Sequence, residues 1–366
     1  MITASLVEQQ QMEAVQQVDH PKVSIITVGY NSLEDLKRCL PSFMAQQYPN
    51  FEIVVVDNAS KDGTASYLSA HFPSVRLYRA ERNLGFSGGN NWAASEAEGE
   101  YLAFINPDTT VKPDCLYWLV ETLQDRSVGI ATPKILMMSQ PDRINTCGND
   151  VHYTGYGYLR GWSQSADSMN TPERVFSVSG AAFLIRKDLF LQLGGFDENF
   201  APAYVEDTDL SWRAMMCGYS AVYVPSSVVY HDYTMGFGPQ KYHWLERNRY
   251  QMILKNYDWR TFALLLPAIL LSEVVAWGYA TMRGTAHMRA KLKSYGWLVR
   301  NLGAILQARQ RVQSLRRVKD REILRRAAFR LAYDQANDGL ISKVAKCTFD
   351  PLFFAIRAVC LLIVRW

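Results

Sequence analysis

Residues 23–60, VSIITVGYNSLEDLKRCLPSFMAQQYPNFEIVVVDNAS, hold two apolar segments separated by a helix-forming segment. The runs VSIITVG and FEIVVVD are apolar without alternation, which is typical of strands that are buried on both faces. Asn31 and Ser32 are expected to cap a helix that continues to about Gln46. A buried strand, a helix and a second buried strand predict a parallel sheet covered by helices on both faces.

The alternation of strands and helices continues along the chain. We expect helices at about 64–71 and 88–98, and strands at VRLYRA (75–80) and YLAFIN (101–106). Pro113 is expected to begin another helix, because proline fits the first helical turn. Further on, VSGAAFLIR predicts a strand, and SAVYVPSSVVYH predicts two short strands that end at His231. The fold class is therefore α/β.

Polar residues follow each of the first four predicted strands, where ligands of parallel sheets bind. These residues are Tyr30 and Asn31, Asp57 and Asn58, Arg82 and Asn83, and Asn106, Pro107 and Asp108. Strand ends are often polar because they meet solvent, which explains any one of these pairs. It explains less well why two uninterrupted apolar runs end on aspartates. The pattern favours a nucleotide site at this edge of the sheet.

The segment RNLGFSGGNNWA (82–93) contains glycines without the spaced GxGxxG of a dinucleotide fold. A Rossmann oxidoreductase is therefore not expected, and Gly85 is expected to let the backbone approach a ligand closely. Residues 140–178 are rich in Gly, Tyr, Asn and Ser and show little periodicity. We expect an irregular, loop-rich segment that contributes to a substrate surface.

The stretch FAPAYVEDTDLSWRAMMCGY (200–219) places Glu206 and Asp207 at the opening turn of a predicted helix. A carboxylate in that position can accept a proton from an incoming hydroxyl while the helix N-terminus stabilises its charge. The alternative is an acidic first turn that only caps a helix.

These motifs, in this order, resemble those of the inverting glycosyltransferases of family 2, which have the GT-A fold. The matching segments lie within about residues 22–255 and are VSIITVGYN, VVVDNASKDGT, RNLGFSGGNN, INPDT, VSGAAFLIR, GGFDENF and VEDTDLSWR, followed by His231. NPDT with EDTDLSWR is most similar to bacterial rhamnosyltransferase-like enzymes of surface polysaccharide assembly. The resemblance implies an enzyme that moves a sugar from a dTDP- or UDP-sugar to a lipid-linked or growing glycan acceptor.

The resemblance also implies roles for single residues. Asp207 matches the general base and Glu206 lies beside it as a second catalytic residue. Asp57 would hold the base or ribose of the nucleotide, while Asp108 and His231 would bind Mg²⁺ or Mn²⁺ at the diphosphate. The remaining expected contacts are Tyr30, Asn31, Asn83, Gly85 and Asn106 for the donor, and Gly180, Ala181 and Trp212 for the acceptor. Arg213, Arg247 and Arg249 are candidate phosphate contacts, with an ion pair to Glu206 or Asp209 as the alternative for Arg213.

One motif departs from the family pattern, because Asn106 stands where a metal-binding aspartate is usual. We therefore expect weak metal binding in which the nucleotide supplies most ligands. The substitution also leaves open a non-catalytic glycan- or nucleotide-binding module, or a membrane scaffold with a degenerate transferase fold. A nucleotidyltransferase is disfavoured because VGYNSLEDLKR is not a glycine-rich, basic triphosphate loop.

Charge is distributed unevenly along the chain. Residues 1–282 carry a net charge of −9, and residues 283–330 carry +12. Residues 261–282 are apolar over about the length of a bilayer span, with Pro267 and Glu273 as interruptions. We expect peripheral, monotopic association with the anionic inner face of the cell membrane. A buried core helix followed by a solvated basic helix is the alternative. No motif indicates a nucleic-acid partner.

We predict a flexible leader at 1–20, a GT-A domain at 21–257 and a helical, membrane-associating region at 258–366. The basic helices of that last region could also pair subunits into a homo-oligomer. The six cysteines are scattered and form no CxxC motif, which is typical of a reduced, cytoplasmic protein without structural zinc.

Overall fold

A computed structural model describes residues 20–336 and 339–366. Apart from its last residue, the predicted leader lies outside the described residues. The strands are β1 (Val23–Gly29), β2 (Phe51–Asp57), β3 (Arg76–Arg79), β4 (Tyr101–Ile105), β5 (Thr109–Val111), β6 (Val128–Met137), β7 (Gln140–Thr146), β8 (Asn149–Val151), β9 (Gly157–Leu159), β10 (Glu173–Val175), β11 (Ala182–Arg186) and β12 (Ser220–His231).

The helices form two groups along the chain: those of the sheet-containing part come first, and those of the C-terminal part come after them. The first group is α1 (Leu33–Met44), α2 (Thr64–His71), α3 (Gly85–Glu96), α4 (Cys115–Leu123), α5 (Lys187–Gln192) and α6 (Glu206–Met216). The second group is α7 (Pro239–Asn256), α8 (Trp259–Arg283), α9 (Thr285–Ser314), α10 (Asp320–Arg326), α11 (Tyr333–Ala336) and α12 (Leu340–Ile363).

One ten-stranded sheet forms the centre of the molecule, and the predicted α/β class is confirmed. Its order is β10-β12-β6-β11-β4-β1-β2-β3, with β5 paired to β12 and β7 paired to β6. The prediction of a parallel sheet holds for β3, β2, β1 and β4. β11, for which the sequence predicted a strand without a direction, runs antiparallel to β4 and β6. The first residue of β11, Ala182, pairs with the last residue of β4, Ile105, so β11 starts at the carboxyl edge of the parallel strands.

Residues 140–178 are more regular than expected, because they contain β7, β8, β9 and β10. β7 pairs with β6, and its inner residues Ile144, Asn145 and Thr146 are buried. The strands are short and irregular in register, so they carry too few alternating positions to be recognised in sequence.

The two short strands predicted before His231 are one strand, β12, which pairs with β6 on both sides of an irregularity between Val224 and Val228. Pro225 lies in that irregularity, where a proline without an N–H group is tolerated in a sheet. The strand therefore continues to His231 instead of ending at the proline.

Two predicted helix starts also differ from the structure. Ser32 precedes α1 but makes no capping hydrogen bond; Asp62 accepts one from the Leu33 N–H instead. Pro113 lies before α4, which begins at Cys115 with Asp114 as its N-cap residue. At α1, Asp62 from another loop makes the hydrogen bond expected of Ser32. At α4, Asp114, the residue after Pro113, occupies the N-cap position, a small shift that is common at helix boundaries.

The helix α8 has one buried and one exposed apolar face. Leu265, Ala268 and Ala276 are buried, whereas Leu266 and Leu270 are 44% and 66% exposed. Among the described residues, α8 alone has the length and apolar composition of a membrane span, and a third of its most apolar window is buried. Glu273, which interrupts the apolar sequence, points into the protein and pairs with Arg249 and Lys291.

Candidate active site

The carboxyl edge of β1, β2 and β4 gathers the residues that follow these strands. Gly29, the last residue of β1, pairs with Asp57, the last residue of β2. Tyr30, which follows Gly29, is therefore close to Asp57 at the carboxyl edge. The Asn106 N–H donates to the Ala181 carbonyl (2.9 Å), which brings the start of β11 to the same edge. The edge therefore lies between segments from both halves of the sheet.

On one side of this edge, asparagines connect two loops. The Asn58 amide donates to Asn83 Oδ1 and to the Gly85 carbonyl (3.1 and 3.2 Å), and its oxygen accepts from the Leu84 N–H (2.8 Å). Asp57 is 3% exposed, and its Oδ1 accepts from the Ser60 N–H at 2.9 Å. Hydrogen bonds of Asn58 thus join the loop after β2 to the loop after β3.

Gly85 brings this surface to the segment before α6. Its φ is +72°, and a Cβ atom at this residue would lie 3.1 Å from the Pro202 carbonyl oxygen. The next residue, Phe86, donates its N–H to that same oxygen at 2.9 Å. A side chain at position 85 would be strained and crowded, so the contact requires glycine.

A carboxylate and an imidazole meet after β4. Asp108 Oδ2 lies 3.4 Å from His231 Nε2, and Asp108 Oδ1 is buried without a hydrogen-bond partner. His231 Nδ1 lies 3.1 Å from Asn145 Oδ1, an acceptor that favours the proton on Nδ1. The Nε2 lone pair then faces a carboxylate, and two facing acceptors are suited to a cation. In residues 20–336 and 339–366, no three His, Cys, Asp or Glu residues are grouped as ligands.

Glu206 and Asp207 open α6 on the other side of the edge. The preceding residues Tyr204 and Val205 have φ values of 80° and 76°, which are strained for non-glycine residues. The Asn248 amide holds this turn by donating to the carbonyls of Phe200, Ala203 and Tyr204 (3.1, 3.1 and 2.8 Å). The packing of α7 thus fixes where the acidic pair lies.

The two carboxyls of the pair have different surroundings. Asp207 Oδ2 accepts from the Gly180 N–H (2.7 Å), and Oδ1 accepts from the N–H of Thr208 (2.7 Å). Burial raises the pKa of Asp207, and these hydrogen bonds oppose the rise. Glu206 is 5% exposed, and its Oε2 has no partner. Burial, together with the charge of Asp207, raises the pKa of Glu206 to about 8. Of the two carboxyls, Glu206 is therefore the one whose surroundings oppose its charge more strongly, and Asp207 is the one whose charge is stabilised by hydrogen bonds.

The sequence of the sheet-containing part decides the family. Residues 24–194 match the family model described as "Glycosyl transferase family 2". This segment belongs to glycosyl transferase family 2. Crystal structures support the same conclusion for the fold, which is GT-A. S. aureus TarS 1–349 is 19% identical with a TM-score of 0.53 over 93% of this chain and 88% of that one. GalNAc-T7 with UDP, GalNAc and Mn²⁺ is 19% identical with a TM-score of 0.55 over 65% and 48%.

Relatives of this chain include proteins of polysaccharide synthesis. The O-antigen biosynthesis protein RfbC of Myxococcus xanthus is 34% identical over 49% of this chain and 15% of its own length. An N-acetylglucosaminyl-diphospho-decaprenol L-rhamnosyltransferase of Mycobacterium tuberculosis is 27% identical over 57% of this chain and 75% of its own. The chain spans 36% of the succinoglycan biosynthesis protein ExoO of Rhizobium meliloti. It therefore matches only a part of RfbC and ExoO.

Two of the predicted acceptor contacts of the family 2 domain are not at its surface. Trp212 is fully buried and packs edge-on against Phe176 and Tyr257, so its predicted acceptor contact is wrong. α6 is buried on nearly all sides although its sequence is rich in polar residues, so the sequence does not reveal the burial of Trp212. The Ala181 side chain is 5% exposed and belongs to the core. Gly180 remains at the edge, in contact with Asp207.

The three candidate phosphate-binding arginines also have partners within the protein. Arg213 pairs with Asp209 at 2.8 Å, as the alternative prediction stated. Arg247 donates to the carbonyl oxygen of Ala201 and lies over the Trp297 ring. Arg249 pairs with Glu246 and Glu273. None of these guanidinium groups is free to bind a diphosphate.

Lys241 is a candidate residue that the sequence did not indicate. Its ammonium lies 5.0 Å from the Tyr204 ring centroid and 5.4 Å from that of Tyr233. The Tyr233 ring is in turn 5.4 Å from His231. No carboxylate of the described residues pairs with Lys241, and burial lowers its pKa. Lys241 therefore lies near Tyr204, two residues before Glu206, and near Tyr233, two residues after His231, an arrangement created by contacts between distant segments.

Proposed function

We propose that this protein is a glycosyltransferase of bacterial polysaccharide biosynthesis. It moves a sugar from a nucleotide diphosphate donor to a hydroxyl of a lipid-linked or growing glycan acceptor, with inversion at the sugar. The observation that carries this proposal is the Asp207 carboxylate, which the Gly180 N–H and Thr208 hold at the carboxyl edge of the sheet. The family match and the names of the relatives support the reaction class.

Asp207 acts as the general base. It removes the proton of the acceptor hydroxyl while that oxygen attacks the sugar, and a single displacement inverts the configuration. Its hydrogen bonds stabilise its charge and fix its orientation. We propose that the pair holds one proton and that it resides on Glu206, whose buried, unpartnered oxygen opposes its charge more strongly. In that form Glu206 orients the acceptor without adding repulsion towards the donor diphosphate.

The donor lies across from Asp207. Asp57 binds the base or ribose, and the loops holding Tyr30, Asn31, Asn83, Gly85 and Asn106 surround the nucleotide. Lys241 faces the diphosphate, where an unpaired ammonium offsets negative charge. A dTDP- or UDP-sugar is the proposed donor. Rhamnose is the proposed sugar, because the rhamnosyltransferase of M. tuberculosis aligns over most of its own length.

Asp108 and His231 would hold a divalent cation, Mg²⁺ or Mn²⁺. The unsatisfied Asp108 Oδ1 and the lone pair on His231 Nε2 fit such an ion. When bound, the cation supplies positive charge that stabilises the departing diphosphate. Because Asn106 contributes an amide where a carboxylate is usual, we expect weak metal binding in the absence of nucleotide.

The helical region supports a location at the cytoplasmic face of the membrane. α8 exposes an apolar face, and the basic segment 283–330 attracts anionic lipid headgroups. Peripheral attachment there would bring the family 2 domain close to a lipid-linked acceptor. Pairing of the basic helices between two copies is the competing proposal for this surface.

Calorimetric titration of the full-length protein with UDP, dTDP and GDP, each with and without Mn²⁺, tests the donor site. We expect one nucleotide to bind, and to bind more tightly with Mn²⁺. Asp108→Ala should remove the effect of Mn²⁺ and retain weak nucleotide binding. Binding of none of the three by folded protein would contradict the proposal.

A second candidate function is a non-catalytic nucleotide- or glycan-binding module, which the amide of Asn106 favours. It predicts nucleotide binding without sugar transfer to any acceptor. Transfer of labelled sugar to lipid-extractable material in membranes that contain the protein would exclude this candidate.

A further inference from the structure

A cavity of about 430 Å³ lies where the family 2 domain meets the helical region. Its walls come from α7, α8, α12 and the turn between β8 and β9, and include Tyr156, Tyr242, Gly278 and Phe349. These walls are almost entirely carbon. Its volume is within the roughly 300–1,000 Å³ of sites that bind small organic ligands. We call this space the apolar cavity.

The inner end of the apolar cavity lies beside the candidate base. Val205, which directly precedes Glu206, forms part of its wall. Gly157 also lines it, and a Cβ atom on Gly157 would lie 3.9 Å from Thr208 Oγ1. Thr208 donates its N–H to Asp207. A ligand in the cavity would therefore extend from the immediate neighbourhood of the acidic pair.

The outer end opens at an apolar surface. Val274, Met282 and Ile341 line the cavity and are at the same time 58%, 52% and 56% exposed. Val274, Gly278 and Met282 are spaced by four residues and form one row along α8. The exposed Leu266 and Leu270 continue the apolar surface of that helix. An apolar path thus leads from the α8 surface to Val205, the residue before the acidic pair.

Arg249 and Glu246, the two charged residues of the cavity wall, belong to a neutral cluster with Glu273 and Lys291, which lie outside the wall. Arg249 pairs with Glu246 (3.0 Å) and Glu273 (2.7 Å), and Lys291 contacts the same two carboxylates. Two cations and two anions leave no net charge for a phosphate. The walls therefore fit an uncharged hydrocarbon chain better than a diphosphate or a sugar.

We infer that the apolar cavity receives the isoprenoid chain of a lipid-linked acceptor. The chain enters from the membrane side of α8, and the polar head attached to it reaches Asp207 at the inner end. This inference rests on the proposed function and names its acceptor class. The decaprenol in the name of the M. tuberculosis relative is an isoprenoid of this kind.

Farnesyl diphosphate and inorganic diphosphate are suitable probes, because they share the diphosphate and differ by the ester-linked hydrocarbon chain and the one ionisable oxygen that the ester replaces. Their binding to full-length protein would be measured by calorimetry below the micelle concentration of the lipid. We expect wild-type protein to bind farnesyl diphosphate at least tenfold more tightly than diphosphate. Equal affinities would overturn the inference.

Two matched variants locate the site. A Cβ atom on Gly278, at the cavity mouth, or on Gly303, on α9, would meet no atom within 4 Å. Glutamine is uncharged and favours a helix more than glycine does, so both variants should fold. Gly278→Gln should lower the advantage of the farnesyl chain about tenfold, whereas Gly303→Gln should keep it. An advantage that Gly278→Gln retains, or that both variants lose equally, refutes the assignment to this cavity.

Nucleotide titration of the same preparations separates this inference from the proposed function. Intact nucleotide binding with no chain-dependent affinity would remove the cavity assignment and leave the transferase proposal standing. Chain-dependent affinity that Gly278→Gln reduces, in protein that binds no nucleotide, would support the lipid site and contradict the transferase proposal.

Discussion

Two groups of buried carboxyls in this molecule have opposite surroundings. In the acidic pair, Glu206 has an unpartnered oxygen, and burial raises its pKa to about 8. In the helical region, burial also opposes the charge of Glu246, yet Arg249 and Lys291 lower its pKa to about 2. Glu246, which is paired with cations, has a structural role. Glu206, which has no such partner, lowers the stability of the folded protein, as is expected where a side chain must act on a substrate.

The largest effect that tests this contrast is the loss of the base. Asp207→Asn keeps the shape of the side chain and removes its ability to accept a proton. We expect turnover to fall by about 10³-fold, within the range for a general base, with nucleotide affinity unchanged. Asp188→Asn, at an exposed position of α5, is the control. Near-normal turnover in Asp207→Asn would show that another group is the base.

The next largest effect concerns the paired carboxyls. Lys291→Met removes one cation from the cluster and leaves Arg249 as the single buried cation that pairs with Glu246 and Glu273. We expect the free energy of unfolding to fall by about 3–4 kcal/mol, measured by urea denaturation. Lys293→Met, at an exposed position of the same helix, should change it little. Equal stability of the two variants would mean that the cluster contributes nothing net.

The pH dependence of stability distinguishes the two groups by sign. Glu206 keeps its proton in the folded state up to about pH 8, whereas the unfolded chain releases it near pH 4.5. Wild-type protein therefore loses stability as pH rises between these values, and Glu206→Gln removes that loss. Relative to wild type, the variant should gain on the order of 3 kcal/mol between pH 5 and pH 8.

Glu246→Gln should show the opposite trend in the same measurement. The folded-state pKa of Glu246 is about 2, below its unfolded value, so its contribution is present above pH 4.5 and is lost as pH falls towards 2. The variant should be destabilised most at neutral pH. Parallel pH profiles for Glu206→Gln and Glu246→Gln would invalidate the contrast between the two groups.

The smallest effect concerns Lys241, a cation without an acidic partner in the described part of the chain. Lys241→Gln should weaken binding of a nucleoside diphosphate about tenfold, because an ammonium next to a diphosphate contributes on the order of 1 kcal/mol. Stability should change little, since no ion pair is broken. Lys343→Gln, on the exposed surface of α12, serves as the control in the same titration.

The sequence was sufficient to predict the first four strands and the acidic start of α6. These features depend on continuous apolar runs and on adjacent residues, so local composition reveals them. Lys241 and Asn145 were missed, because their positions depend on contacts with residues far away in sequence. His231 and Asn145 are 86 residues apart, and neither lies in a motif that names the other.

Trp212 and residues 140–178 were misjudged for a related reason. Most polar residues of α6 are buried together with its apolar ones, so polarity does not separate the side that meets the core from the side that faces the carboxyl edge. The short strands β7 to β10 take their order from the longer strands that they pair with. Tertiary pairing of this kind leaves no periodic signal in the sequence.

The hydrogen bond from Gly180 to Asp207 is donated by the main chain. Point substitution can alter every side chain around the base, but of the common amino acids only proline at position 180 would delete this donor. A Cβ atom at the position would lie 3.3 Å from Asp207 Oδ2, so larger residues would crowd the contact without removing it. The anchor of the proposed base therefore does not depend on any side chain. Substitution of the side chains around the site would leave this main-chain donor, and with it the orientation of Asp207, in place.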